Sequence, residues 1–177
     1  MNSISLVQQG VEIAHQFLEG TMADVTEAQL HWPPPGNANA LGATYAHVVL
    51  SEDMIINGML QGKPPLFATS WAGKAGVSEP MPQPGPEWEK YGAWAKNVRV
   101  DLAALREYAQ AVYKNTEAYL ASLTEGDLDR PVDLSVAGMG QVNVAWILNG
   151  LVIAHASNIC GEISCLKGLQ GARGYPF

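Results

Sequence analysis

Basic residues are scarce in this sequence, and their scarcity excludes one class of function. Ten Lys and Arg residues stand against 17 Asp and Glu residues, so the formal net charge is −7. No stretch gathers the basic residues into a dense cluster. Because non-specific binding to nucleic acid depends on a basic face, we expect no nucleic-acid partner.

A long uninterrupted apolar run is also missing. The most apolar window, residues 142–156, contains Asn143, Asn149 and His155. It is shorter than the ~20 apolar residues that cross a bilayer. The N-terminal stretch MNSISLVQQGVEIAHQF has no basic start, no continuous apolar core and no small-residue cleavage site, so it is not expected to be a secretory signal. These features predict a soluble cytoplasmic protein with no membrane partner.

Cysteine is rare as well, and the two cysteines present are not arranged as a redox or zinc motif. Cys160 and Cys165 lack the CxxC spacing. On a helix they point about 140° away from each other, which disfavours a disulfide between them. Two free thiols are typical of a reducing compartment.

Helical periodicity is the dominant pattern that the sequence does contain. Apolar residues recur at steps of three and four over about residues 3–22, 39–62, 87–123 and 144–171. This pattern predicts one all-α domain over residues 1–177, built as a four-helix bundle. The third segment is one helix or two, with Asp101 available to cap a second start.

Two connections interrupt the predicted helices. Residues 63–86 are rich in Pro and Gly, and a loop of this length inside a domain is usually functional or mobile. Residues 124–141 are rich in turn-forming residues. A short hairpin is conceivable there, but the spacing of Gly138 and Gly140 favours a loop.

The fourth predicted helix carries polar residues on an apolar face. Helical spacing puts the following residues on one side: Leu148, Leu151, His155, Ile159, Glu162, Leu166 and Leu169. His155 and Glu162 therefore need partners, because an unpaired buried polar group is costly. His47, on the second helix, is expected in the interior or at the edge of a cleft. His15, on the first helix, is expected to be partly exposed.

The histidine spacing gives an incomplete metal-binding pattern. A catalytic zinc site commonly uses three protein ligands, and a helix often supplies two of them as histidines four residues apart. The position four residues after His155 is Ile159, which cannot bind a metal. Asn158 offers a weak oxygen ligand, and Glu162 lies ~10.5 Å further along the helix axis. His47 and His155 are therefore the two histidines that we place at a common cleft.

The chain resembles the DinB-like superfamily (DUF664). The resemblance covers nearly the whole chain and rests on the stretches PGNANALGATYAHVVLSED, EWEKYGAWAKNVRVDLAALREYAQAVYKNTEAYL and HASNICGEISCLKGLQGARGYPF, of which the C-terminal one is the most specific. It implies a four-helix bundle with up-down-down-up connectivity, often as a homodimer. Many members hold nickel, zinc or a similar divalent ion with one histidine from the second helix and two from the fourth. Some relatives are S-transferases that use mycothiol or bacillithiol, or a maleylpyruvate isomerase.

Carried over to this chain, the resemblance implies a site with two of the three histidines. His47 matches the ligand on the second helix, His155 matches the first histidine of the fourth-helix pair, and Ile159 occupies the position of the second. Three residues are candidate substitutes for the missing ligand: Asn158, Glu162 and Glu52.

The resemblance and the incomplete site leave three hypotheses for the function. The first is a cleft that binds a small molecule, with the divalent metal weakly bound or absent. The second is an enzyme that depends on a divalent metal, such as zinc or nickel, for example a thiol-dependent S-transferase. The third is a non-catalytic interaction module that forms a homodimer.

Overall fold

Four long helical segments dominate the structure, a computed structural model that describes residues 2–176. The all-α prediction is confirmed. The helices in chain order are α1 (Ser3–Met22), α2 (Glu27–Leu30), α3 (Leu41–Asp53), α4 (Tyr91–Asn97), α5 (Leu102–Ser122), α6 (Val144–Ile147) and α7 (His155–Leu169). Short 3₁₀ turns lie in the connections, at Leu66–Ala68, Trp88–Lys90, Glu125–Asp129 and Ser135–Ala137.

Two of the long helices contain a π-helical segment. Helix α3 continues directly into a π-helix at Met54–Leu60, and together they form the second bundle helix, residues 41–60. A second π-helix at Leu148–Ala154 joins α6 to α7, and these three form the fourth bundle helix, Val144–Leu169. π-Helical turns are rare and occur often at functional sites. Here the second one ends directly before His155, and the first begins seven residues after His47.

The first and fourth bundle helices run in the same direction. In the first half of α1, a side chain on Gly10 would meet Ile153. Towards the end of α1, the Thr21 hydroxyl lies 3.2 Å from the sulfur of Cys160. Residue numbers therefore rise together along the two helices, so these helices are parallel.

The second bundle helix and α5, the third bundle helix, are also parallel. The Tyr108 hydroxyl donates to Asp53 at 2.5 Å. One to two turns further along both helices, Asn115 donates to Asn57 at 3.2 Å. By contrast, α1 and α5 are antiparallel, because Tyr113 reaches Glu19 while the earlier Arg106 reaches the carbonyl of Met22. The predicted up-down-down-up connectivity is thus confirmed.

The third predicted helix divides into α4 and α5 at Asp101. The carboxylate of Asp101 accepts a hydrogen bond from the backbone N–H of Ala104 at 3.1 Å, which is the N-cap geometry. Just before this cap, Val100 pairs with Val77 as an isolated β-bridge, so the preceding residues are extended. The bridge ties the long connection after the second bundle helix to the start of α5.

The interpretation of residues 124–141 as a loop is wrong at its C-terminal part. Two short strands, β1 (Pro131–Asp133) and β2 (Gln141–Asn143), pair antiparallel, with Val132 opposite Val142. Gly138 and Gly140 have φ angles of 76° and 68°. These glycines form the turn between the strands, a role that their conformational freedom suits.

The apolar face predicted for the fourth helix is also wrong in part. Leu169 is 55% exposed and Leu151 is only half-buried, whereas Val152, Ala156 and Ile163 are buried. The cause is the π-helix at Leu148–Ala154, because each π-helical turn takes up more residues than an α-helical turn. Residues before and after the bulge therefore do not follow one α-helical stripe.

The fourth bundle helix is apolar for a bundle helix. An 18-residue window within Val144–Leu169 has a mean hydropathy of 1.4, and 39% of that window is buried. By length and composition alone such a helix is able to cross a membrane, but one such helix is weak evidence, because core helices of water-soluble proteins pass the same test. Packing against α1 and α3 covers its buried part.

Candidate functional site: a histidine cleft between the second and fourth bundle helices

The structure brings His47 and His155 together, as the sequence predicts. The Nε2 atoms of the two rings are 3.1 Å apart, and the rings meet edge-on, with centroids 4.9 Å apart and an interplanar angle of 77°. His47 is on α3, and His155 is the first residue of α7, directly after the π-helix. The antiparallel packing of these two helices sets the cleft between them.

The other ring nitrogen of His47 has its own partners. The sulfur of Met81 lies 3.4 Å from Nδ1, and the Ser51 hydroxyl lies 3.5 Å from it. A thioether accepts but cannot donate a hydrogen bond, so the contact with sulfur favours the tautomer with a proton on Nδ1. In that tautomer, the lone pair of Nε2 faces His155.

Both histidines are held in the neutral form. Burial lowers the pKa of His47 to about 4, and the neighbouring His155 adds to the effect. Burial also lowers the pKa of His155, although the charge of Glu52 and the backbone carbonyl of Leu151 act in the opposite direction. Two neutral bases therefore face each other at pH 7. Neutral imidazole is the form that binds metals and accepts protons.

The two Nε2 atoms fit two positions around one divalent ion. Zinc–nitrogen distances of about 2.0–2.1 Å in a tetrahedral site put neighbouring nitrogen ligands about 3.3 Å apart, close to the 3.1 Å seen here. Ile159, one turn after His155, is buried and contributes no ligand atom. No group of three or more His, Cys, Asp or Glu residues that would suit a metal ion occurs within residues 2–176. The two histidines thus supply two ligands for a divalent ion, which is fewer than a complete ligand set.

The candidate substitutes on the fourth helix lie in different surroundings. Asn158 is exposed and lines the same cavity as His155. Glu162 is also exposed, and its charge acts on Tyr91, whose pKa is raised to about 12 mainly by burial and secondarily by Glu162. Of these two, Asn158 is the one that shares a cavity with His155.

Glu52 forms its hydrogen bonds with residues other than the two cleft histidines. Its carboxylate lies 2.9 Å from Nε2 of His15 and accepts a hydrogen bond of 2.6 Å from the Thr116 hydroxyl. His15 is only 8% exposed and stacks on Tyr113, with ring centroids 3.8 Å apart. The expectation that His15 is partly exposed is therefore wrong, because α1 turns this ring inward to meet the buried carboxylate.

Aromatic side chains that sequence reasoning did not assign to the site cover His47. Trp88 and Tyr91 stack with centroids 4.7 Å apart at 15°, and Tyr91 meets His47 edge-on at 5.1 Å. Trp88 lies 6.1 Å from His47 and is 40% exposed. The signal in the sequence is the three-residue spacing of the aromatics, which also fits an ordinary core stripe.

A cavity of about 250 Å³ lies beside His155. Its walls combine apolar side chains from both π-helical segments with three polar residues and with the end of the long connection. The lining residues are Ser51, Met54, Ile55, Met59, Pro84, Trp88, Gly150, Leu151, His155 and Asn158. Since the connection supplies Pro84 here and Met81 at His47, this long loop forms part of the site.

Asp53 anchors the start of that long loop. Its two carboxylate oxygens accept hydrogen bonds from the backbone N–H groups of Leu66 and Phe67, at 2.9 and 3.0 Å. Tyr108 donates to the same carboxylate, and burial together with that charge raises the pKa of the phenol. The anchor therefore fixes the start of the loop at a residue only two positions after Ser51, which lines the cavity.

Comparison with known proteins supports this architecture. The chain is similar in structure to a conserved protein from Enterococcus faecalis, with a TM-score of 0.75, 20% identity, and coverage of 97% of this chain and 99% of that one. At that identity, the likeness shows the fold alone. A comparison with curated proteins found no match. The sequence profile of the DinB superfamily matches residues 11–157, which is most of the chain. The chain therefore belongs to the DinB superfamily.

Proposed function

We propose that the His47–His155 cleft binds a small organic molecule that is mostly apolar and carries one polar group. The observation that carries the proposal is the cavity of about 250 Å³ that opens beside His155. Small-molecule sites are typically concave and apolar, with a few polar groups that fix the orientation of the ligand. This volume lies slightly below the range of about 300–1,000 Å³ that is usual for such sites, so the ligand is small.

The lining divides into a surface for apolar contact and a surface for hydrogen bonds. Met54, Ile55 and Met59 offer flexible and polarisable apolar contact. His155 and Asn158 supply hydrogen-bonding groups at the other side. Because both cleft histidines are neutral at pH 7, a ring nitrogen is able to accept a hydrogen bond from a bound ligand.

Methionine methyl groups give a direct test of this proposal. In protein with ¹³C-labelled methionine methyls, a screen of small aromatic and aliphatic fragments should shift Met54, Met59 and Met81 in a saturable way. Met139, on the exposed hairpin turn, serves as the internal control. Replacing Met59 with Trp should fill the cavity and abolish the shifts. Binding that persists in Met59→Trp, or no fragment that binds the wild type, would refute the proposal.

A second candidate function is weak binding of a divalent ion, favoured by the 3.1 Å between the two Nε2 atoms. His47 and His155 would hold the ion, and Asn158, which lines the same cavity as His155, would be a weak third ligand. Such an ion would supply Lewis-acid activation of a thiol or water, the chemistry of an S-transferase. Titration with zinc or nickel should then give binding that His47→Ala and His155→Ala each abolish. Equal affinity in these variants would exclude the pair as the site.

We also propose that the protein forms a homodimer through α1 and the fourth bundle helix. Leu6, Ile13 and Trp146 are 61%, 44% and 46% exposed, although such side chains are usually buried. Sedimentation velocity should show a dimer that Ile13→Lys dissociates. Val136→Lys, at a residue 81% exposed on the hairpin, is the matched control and should leave the dimer unchanged.

A further inference from the structure

A second cavity, which we call the hairpin groove, meets the cavity beside His155. It has a volume of about 410 Å³ and lies between the end of the long connection and the turn of the β1–β2 hairpin. Its lining residues among those that the structure describes are Pro84, Gly85, Pro86, Trp88, Val136 and Ala137. Pro84 and Trp88 line both cavities. The two spaces are therefore continuous along these two residues.

The side chains of the hairpin groove are apolar. Within its described lining, the indole N–H of Trp88 is the only side-chain group that forms hydrogen bonds, and no side chain is charged. Pro84 and Pro86 also lack a backbone N–H. A charged or strongly polar group would lose its hydration here without gaining partners in return. The hairpin groove therefore suits a hydrocarbon chain.

Val136 contributes little to the core of the protein. Its side chain is 81% exposed, in the middle of the 3₁₀ turn Ser135–Ala137. A Cβ on Gly85 would lie 3.5 Å from a methyl carbon of Val136, and the φ angle of Gly85 is 113°, which other residues rarely adopt. The bend at Gly85 thus brings the long connection close to this valine and leaves the valine uncovered. Exposed apolar side chains that share one surface mark binding sites more often than chance packing.

Trp88 forms the boundary between the two cavities. Tyr91 stacks on its ring with the centroids 4.7 Å apart, which fixes the orientation of the indole. The residue is nevertheless 40% exposed, so the ring is covered on one side and open on another. A hydrocarbon chain that leaves the cavity beside His155 along this ring enters the hairpin groove with unbroken apolar contact.

We propose that the cavity and the hairpin groove form one elongated site for a linear amphiphile, a molecule with one polar head and an alkyl chain. The inference rests on the function proposed above and specifies the class of ligand. The head lies at His155 and Asn158, the first part of the chain contacts Met59, and the end of the chain passes Trp88 to reach Val136. The lack of charged and hydrogen-bonding side chains in the groove makes an alkyl chain, rather than a second polar group, its occupant.

A homologous series of alcohols tests how affinity depends on chain length. 1-Butanol, 1-hexanol and 1-octanol are titrated into the full-length protein, with the methyl NMR signals of Met59 and Val136 reporting on the cavity and the groove. 1-Butanol should shift Met59 alone, whereas 1-octanol should shift both residues. The affinity should rise about fourfold with each added methylene, which is the gain expected when a methylene is buried.

A charge in the hairpin groove separates its contribution from that of the cavity. Val136→Asp should weaken the binding of 1-octanol by about tenfold, because the end of the chain would have to desolvate a carboxylate, and should leave 1-butanol unchanged. Met139→Asp, on the same hairpin turn but outside the described lining, is the matched control and should bind both alcohols as the wild type does. Both residues are exposed, so both variants should fold normally, which unfolding curves will check.

Three results would overturn the inference, and they are distinct from failure of the function proposed above. If 1-butanol binds but 1-octanol binds no more tightly and leaves Val136 unshifted, the cavity is a ligand site and the groove is not part of it. If Met139→Asp weakens 1-octanol as much as Val136→Asp does, the effect is one of general surface charge. If no alcohol shifts Met59, the elongated site is refuted, and the fragment screen described above decides separately whether the cavity binds other ligands.

Discussion

Two histidine pairs lie on different sides of the second bundle helix, and they differ in what each histidine faces. His47 faces another base, His155, with their Nε2 atoms 3.1 Å apart. His15 faces an acid, Glu52, at 2.9 Å. The distances are almost equal, and both pairs are largely buried. The difference is that the acid and base of one pair satisfy each other directly, whereas neither cleft histidine has an acid as a hydrogen-bond partner among the described residues.

This difference separates a structural pair from a pair that is available for a ligand. His47 and Glu52 are five residues apart on the same helix, so they point about 140° away from each other. One helix thus serves both pairs without bringing them together. A shared proton, a bound cation or a hydrogen-bonding ligand can satisfy the two facing bases. The cavity next to His155 gives such a ligand access to the pair.

The largest effect is expected from removing the acid of the satisfied pair. Glu52→Ala leaves His15 and Thr116 buried without their shared partner, which should lower the free energy of unfolding by about 3–5 kcal/mol. Urea unfolding followed by circular dichroism measures this loss. Glu162→Ala, at an exposed glutamate, should change the stability by less than about 0.5 kcal/mol. A loss below about 1 kcal/mol in Glu52→Ala would show that the pair is not structural.

A gain in zinc affinity is expected from adding a third histidine to the cleft. Ile159 lies one turn after His155, where a histidine would share its helical face. Ile159→His should therefore bind zinc about 100-fold more tightly than the wild type, measured by competition with a chromophoric chelator. Ile159→Leu keeps the apolar volume and should show no gain. An unchanged zinc affinity in Ile159→His would mean that the Nε2 atoms do not face one ion.

The cleft could be predicted from the sequence because its histidines belong to helices of regular periodicity. His47 and His155 interrupt apolar stripes, and a polar residue on such a stripe needs a partner in the same interior. The buried state of His15 could not be predicted in this way. Its partner Glu52 is on a helix diagonally opposite in the bundle, and only the tertiary packing brings the two together.

The parts of the site that escaped prediction depend on irregular backbone. Met81 reaches His47 from a connection without helical periodicity, 34 residues further along the chain. The π-helices are equally hidden, because Leu148–Ala154 is as apolar and regular in composition as an α-helical stretch. The extra residue in a π-helical turn changes the register along the helix, so the predicted face holds only in part beyond it. Ile159 and Leu166 are buried there, whereas Glu162 and Leu169 are exposed.

A smaller effect on the free energy of unfolding is expected from lowering the pH, because the folded protein resists protonation of the two facing histidines. His47 has a folded pKa of about 4, below its ordinary value of 6.5, so between these values the unfolded chain binds more protons than the folded protein. Stability is therefore fully present above about pH 6.5 and is lost as the pH falls towards 4, with about 2 kcal/mol of loss at pH 5. Urea unfolding at pH 7.5, 6 and 5 tests this, and His47→Phe should flatten the slope. Carboxylates with lowered pKa, such as Asp24, act only at lower pH.

The smallest effect is expected from Met81→Leu, which removes the sulfur near Nδ1 of His47 and keeps the apolar volume. Exchanges between Leu and Met usually cost less than about 1.5 kcal/mol, so the fold should persist. The change should appear in the imidazole ¹⁵N signals, because the Nδ1–H tautomer of His47 loses the acceptor that favours it. Nε2–H then gains population, and the lone pair that faces His155 is partly lost. Identical ¹⁵N signals in Met81→Leu and the wild type would show that Ser51, and not the thioether, sets the tautomer.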